Sequence, residues 1–150
     1  MALFLSRFEN KVDTKGRVSV PSQFRSMLYG QDFSGIVLYP SYLNNCIEGS
    51  SIERIQKFSE AIDDLDPTSR ERDAFATVML SEACQLPFDT DGRVILPKHL
   101  MELAGITDKA VFVGKGQTFE VWEPKKFEEY KKEAQERIKD MPFPVKKVSQ

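Results

Sequence analysis

The chain has 150 residues, 41% hydrophobic and 29% charged, with a formal net charge of −2, a balance that suits a folded domain with a real core and excludes an intrinsically disordered protein. No apolar run approaches the roughly 20 residues that span a bilayer, and the opening MALFLSRFEN lacks the basic n-region and apolar length of a signal peptide, so a cytoplasmic protein without a membrane partner is expected. Two cysteines with no C-x-x-C spacing and a single histidine leave no convincing zinc or iron cluster, and neither a metal nor another cofactor is expected.

Short alternating segments, LFLSRF and NKVD, open the chain. DTKGRVSVP (Asp13 to Pro21) follows, and each of its residues has a local reason. Asp13 can bond its own backbone and open a turn. Gly16 sits where a tight hairpin needs a positive φ. Arg17 projects beside that turn, and Val18 and Val20 share one face of a strand. Pro21 ends the strand and suits the first turn of a helix. SQFRSML is that short helix, with Gly30 placed to close it. IVLYP and NCIEG are two further strands. Ser50 or Ser51 caps a helix whose apolar stripe is Ile52, Ile55, Phe58 or Ser59, Ile62 and Leu65. Asp66-Pro67 breaks it and reads as N-cap and first helical residue of the next helix, which runs through RERDAFATVML.

The first signature then returns 76 residues on as DTDGRVILP, Asp89 to Pro97. Gly92, Arg93, Val94, Leu96 and Pro97 take the places of Gly16, Arg17, Val18, Val20 and Pro21. ACQLPFD precedes it; a helix in PKHLMELAG ending at Gly105 follows, then strands in AVFVGKG and TFEVWE. Four short strands around one small helix, used twice, predict a mixed α/β, mainly β, barrel of two pseudo-equivalent halves. The last helix begins at Pro124, with Phe127, Tyr130, Ala134 and Ile138 on one side and Lys/Glu pairs on a solvated face. The division expected is a first repeat over 7–54, a helical connection over 55–82, a second repeat over 83–126, and a C-terminal helix and mobile tail over 127–150.

Charge is unevenly spread. Residues 1–30 hold five bases against two acids, +3, and residues 31–82 hold ten acids against four bases, −6. A basic first signature beside an acidic middle points one face towards an anion. The plain reading is a twice-used hairpin with incidental surface arginines. A binding role is favoured, because both arginines stand beside a turn glycine where packing alone would accept most residues. Asp63, Asp64 and Asp66 read as a solvated helix end and His99 as an ordinary histidine. With no nucleophile arrangement and no phosphate-loop motif, neither an enzyme nor a small-molecule substrate is expected, and no catalytic residue is assigned.

The doubled D-x-x-G-R-hydrophobic-x-hydrophobic-P occurs with L-D-P-x-x-R-x-R (Leu65 to Arg72), V-G-K-G (Val113 to Gly116) and F-E-V-W-E (Phe119 to Glu123). This set resembles the MraZ family of bacterial transcriptional regulators over nearly the whole chain. The resemblance implies an AbrB-like swapped-hairpin (double-split) β-barrel with flanking helices. It implies DNA binding by the D-x-x-x-R part of each copy, here Asp13 with Arg17 and Asp89 with Arg93. It further implies a ring-shaped homo-oligomer on direct repeats of promoter double-stranded DNA, nucleoid-associated, regulating its own division and cell-wall gene cluster, with repression the expected sign.

Chemistry agrees: Arg17 and Arg93 suit bidentate contact with guanine, and Lys15 suits phosphate. Arg7 and Lys11 join them as DNA-binding candidates, while Asp13, Gly16, Pro21, Asp89, Gly92 and Pro97 shape the two turns. Asp91 stands where the first copy has Lys15, which weakens the second copy as a phosphate contact. Gly49 stands near the position of Trp122, so unequal core contributions are expected. The alternative is an AbrB-type antitoxin-like protein-interaction module. Two copies of the signature and a tail of only ten residues beyond Asp140 place it second.

Overall fold

In the computed structural model, which describes residues 2–144, the alternating segments become eight short strands. The order is β1 (Arg7–Lys11), β2 (Arg17–Ser19), α1 (Ser22–Ser26), β3 (Gly35–Pro40), β4 (Ile47–Ser50), α2 (Ile52–Asp63) and α3 (Arg70–Phe75). Then follow β5 (Cys84–Pro87), β6 (Arg93–Ile95), α4 (Lys98–Ala104), β7 (Lys109–Gly114), β8 (Phe119–Trp122) and α5 (Pro124–Ile138). Residues 145–150, on which most of the expected mobile tail falls, lie outside the described residues.

The two halves interlock by exchanging strands. Six strands form an antiparallel sheet in the order β1-β7-β8-β4-β3-β5, and β2 pairs with β6 as a separate two-stranded ribbon. The first strand of each half therefore pairs with the third strand of the other: β1 with β7, and β5 with β3. The like strands β4 and β8 meet at the centre, with Glu48 opposite Glu120. Swapping the halves leaves this order unchanged, so the pairing is pseudo-symmetric.

Phenylalanines fill the space between sheet and ribbon. Phe4, Phe24, Phe112 and Phe119 are essentially inaccessible, with Val18, Val20, Val94, Leu96 and Leu100 around them. The Phe4 ring lies 5.0 Å from Phe119 and 5.2 Å from Phe24, both edge-on, the arrangement that aromatic quadrupoles favour. Phe4 is held there because its N–H donates to the Gly116 carbonyl and its carbonyl accepts from the Gly116 N–H.

Two smaller clusters cover the outer sheet face. Ile55 and Met79 pack on Val37 and Tyr39, and α5 lays Phe127 and Tyr130 against Trp122 and Val111. Sheet register makes Ser50 the counterpart of Trp122, while Gly49 lies opposite Phe119. The inequality between halves is thus real, but it sits on the outer face under α5, because Trp122 belongs to that cluster and not to the central core.

Ser51 caps α2, its Oγ accepting from the Arg54 amide at 3.1 Å. The next helix starts later than expected. Asp66 heads a turn, accepting from the Thr68 amide and hydroxyl, and Ser69 is the N-cap that accepts from Arg72. A Thr two residues on satisfies the Asp66 carboxylate locally, so it does not serve a helix N-terminus. After Phe75 the rod continues over Ala76–Leu80 as a π-helical turn that buries Met79. Gly105, at φ +70, ends α4 as the pattern required, whereas α1 stops at Ser26, before Gly30.

Candidate nucleic-acid interface

Each signature closes on its own aspartate. Asp13 Oδ1 accepts from the amides of Lys15 at 2.9 Å and Arg17 at 2.8 Å, and Oδ2 accepts from Arg17 Nε at 2.6 Å. The Asp13 amide donates to Arg17 O and the Gly16 amide to Asp13 O, both at 3.0 Å. Asp89 repeats the pattern with the amides of Asp91 and Arg93 and with Arg93 Nε, each at 2.9 Å. Gly16 and Gly92 have φ of +82 and +76, the left-handed region that a Cβ strains. The Arg17 amide foremost, aided by the Arg17 side chain and the Lys15 amide, holds the Asp13 carboxyl below its ordinary range; the Arg93 amide leads the same effect at Asp89. Both aspartates are therefore turn-formers that also clamp an arginine through Nε. That clamp holds each arginine through Nε, with the two terminal nitrogens of the guanidinium outside it.

The ribbon sets where the arginines stand. Its register pairs Arg17 with Ile95, Val18 with Val94 and Ser19 with Arg93. Alternation sends Val18 and Val94 into the core and leaves Arg17, Ser19, Arg93 and Ile95 on the outer face, with Ile95 61% exposed. Arg17 and Arg93 occupy diagonal corners, a relationship that puts Cα atoms about 7–8 Å apart. Pro21 and Pro97 end the two strands and stand at the N-caps of α1 and α4, one residue before the helices begin.

The other basic candidates divide. Lys15 is exposed on the first turn, and Lys11 is exposed at the end of β1, opposite Lys109 of β7. Arg7 is at the other end of β1, where Nη1 donates to Glu128 at 2.7 Å and the guanidinium lies 5.6 Å from the Phe127 ring centroid. The fold thus brings Lys11 and Lys15 to the hairpins and sets Arg7 against Glu128 and Phe127 of α5. The second hairpin carries an extra carboxylate, with Asp91 Oδ2 3.4 Å from Arg93 Nη2.

Three residues of this surface were not picked out in the sequence. Ser19 and Ile95 follow from the strand alternation already read; Lys109 needed the β1–β7 pairing. Elsewhere, His99 Nε2 lies 3.3 Å from Glu82 Oε2 and 3.9 Å from Cys84 Sγ, and both cysteines are free. Among the described residues no helix is long and apolar enough to cross a membrane.

Known proteins similar to this chain match it over most of its length. The family profile described as "MraZ protein, putative antitoxin-like" matches residues 79–141. The transcriptional regulator MraZ of Rickettsia akari (strain Hartford) is 49% identical over 149 residues, 99% of this chain and 100% of that protein. The transcriptional regulator MraZ of Rickettsia bellii (strain OSU 85-389) is 53% identical over 136 residues, 90% of this chain and 91% of its own length. That of Rickettsia canadensis (strain McKiel) is 51% identical over 135 residues.

Proposed function

The chain belongs to the MraZ family, and on that premise we propose that it is a transcriptional regulator that binds promoter DNA through the outer face of the β2–β6 ribbon. One observation carries this reading: two arginines clamped at diagonal corners of an exposed, two-stranded antiparallel ribbon. The major groove of B-DNA admits such a ribbon, and an arginine can take guanine O6 and N7 together. A Cα separation of about 7–8 Å corresponds to about two base-pair steps of 3.4 Å, so one protomer reads two nearby bases. Lys15, Lys11 and Lys109 hold phosphates, and Ile95 offers an apolar contact of the kind thymine methyls accept. Asp13 and Asp89 orient their arginines and do not themselves meet the phosphates, which would repel them. Arg7 serves through α5 more than through DNA.

The exchange of β1 and β5 between halves supports the swapped-hairpin barrel as the description of the fold. One ribbon offers few contacts for the ~10⁻⁸–10⁻¹¹ M affinities of specific regulators. A head-to-tail ring presents several ribbons in the same sense, which suits direct repeats. Occupation of such repeats in the promoter of its own division and cell-wall cluster represses that promoter and keeps the protein at the nucleoid. Footprinting on the DNA upstream of the protein's own gene tests the reading. Protection of spaced direct repeats that vanishes with a folded Arg17→Ala variant is expected; unchanged protection by that variant overturns it.

A further inference from the structure

The two hairpins are cross-tied alike but supported differently. The Val20 amide donates to Gly92 O at 3.1 Å, and the Leu96 amide donates to Gly16 O at 2.8 Å. On the second hairpin, among the described residues, a side chain from the other half is added. Arg25, on α1, donates from Nη1 to Val20 O at 2.6 Å and reaches Gly92 O at 3.5 Å. Its guanidinium covers Gly92 so closely that a Cβ there would sit 2.5 Å from Cζ and 2.8 Å from Nε. At Gly16 the nearest atoms to the same Cβ are Leu96 O at 3.3 Å, Ile95 Cγ2 and Leu96 N. The position equivalent to Arg25, 76 residues on, is Met101, just as the buried Phe24 corresponds to the buried Leu100.

Charge gives this asymmetry a sense. Asp89, Asp91 and Arg93 leave the second hairpin at −1, where Asp13, Lys15 and Arg17 give the first +1. Arg25 supplies the second hairpin with the second cation that its own sequence lacks, through an Nη1 that faces the carbonyls of two chain segments. We propose that Arg25 is the positioning residue of the second hairpin, fixing the Asp89–Arg93 turn and so the presentation of Arg93, while the first hairpin needs no such clamp. This inference rests on the DNA-binding reading for its functional half only.

Arg25→Met, which installs the residue found at the equivalent place in α4, separates the possibilities. Amide hydrogen exchange at residues 89–93 should quicken by about tenfold, with residues 13–17 unchanged, as loss of a local charge-assisted hydrogen bond requires. Operator affinity should fall by about tenfold in the wild-type background and not at all in an Arg93→Ala background, while the effect persists beside Arg17→Ala. Equal acceleration in both hairpins would reduce Arg25 to a general stabiliser and overturn the proposal. A loss that simply adds to that of Arg93→Ala would make Arg25 an independent DNA contact and also overturn it. Should Arg25→Met not fold, Arg25→Gln keeps a polar side chain but removes the charge, and must show the same selective exchange. If Arg93→Ala alone leaves operator affinity untouched, the DNA reading of that hairpin falls, and the exchange measurement still decides what Arg25 does.

Discussion

Asp91 Oδ2 lies 3.4 Å from Arg93 Nη2, on an arginine whose Nε already donates to Asp89. Among the described residues the ion pair of Arg17 is with Asp13, and Lys15 stands in the place of Asp91. One turn geometry thus holds its arginine beside one aspartate in the first copy and beside two in the second.

Arg17→Ala should cost about 1–3 kcal/mol of operator binding per engaged ribbon and flatten discrimination among operator variants. Arg93→Ala should cost less at equal salt, and Asp91→Asn should tighten binding by freeing Arg93. Fluorescence anisotropy with a labelled operator measures all three. An equal or reversed ranking of the arginines would mean that local charge does not govern their contributions.

Lys15→Ala should weaken operator and random DNA alike. The slope of log affinity against log salt should become shallower by about one, as for one lost phosphate contact. A loss confined to the operator would instead make Lys15 a base reader.

Acid titration should expose two opposite groups of carboxylates. Burial first, with the charge of Glu120 adding to it, pushes the Glu48 carboxyl above its ordinary 4.5. A carboxylate raised in the fold destabilises it when charged, and that cost is relieved as pH falls through the folded value. Glu48→Gln should therefore raise the melting temperature at pH 7 and give no gain below about pH 4.5. Asp13 and Asp89 are lowered from 3.8, so their stabilisation is present above that value and lost as pH drops through their folded values. A Glu48→Gln gain that is constant from pH 7 to pH 4 would remove Glu48 as the cause.

Phe4→Ala should destabilise the protein by about 3–5 kcal/mol, the usual cost of emptying a buried aromatic site. Phe4 lies outside both signatures, yet it is 0% exposed and touches Phe24 and Phe119. Urea unfolding gives the value, and a cost below about 1 kcal/mol, far short of that usual range, would show that the core closes without this residue.

Sedimentation should give an assembly larger than a dimer, and affinity should rise steeply with the number of repeats on one fragment. Repeats about 10–10.5 bp apart lie on one side of the duplex, so a half-turn insertion should cost most of the gain. A monomer binding one repeat as tightly as three would leave the ring without support.

Much of the site is local, and local chemistry is written in sequence. The Asp–Arg clamp closes over five residues, the turn glycines answer to φ, Val18 and Val94 to alternation, and a cap at Ser50 or Ser51, which the fold resolves to Ser51, to the need of a helix N-terminus. Asp66 shows the limit of that reading, since Thr68, two residues away, satisfied it before any helix could. What the chain could not declare was partner choice. A strand's period states which face is buried but not which strand lies beside it, so the pairing of β1 with β7 and β5 with β3, and the diagonal placing of Arg17 and Arg93, exist only once the halves interlock. The same holds for single side chains. Arg7 and Arg25 looked alike as bases of a +3 segment. Tertiary packing gave one to Glu128 and Phe127 and laid the other over Gly92, because a guanidinium goes where distant carboxylates, rings and carbonyls happen to be brought together.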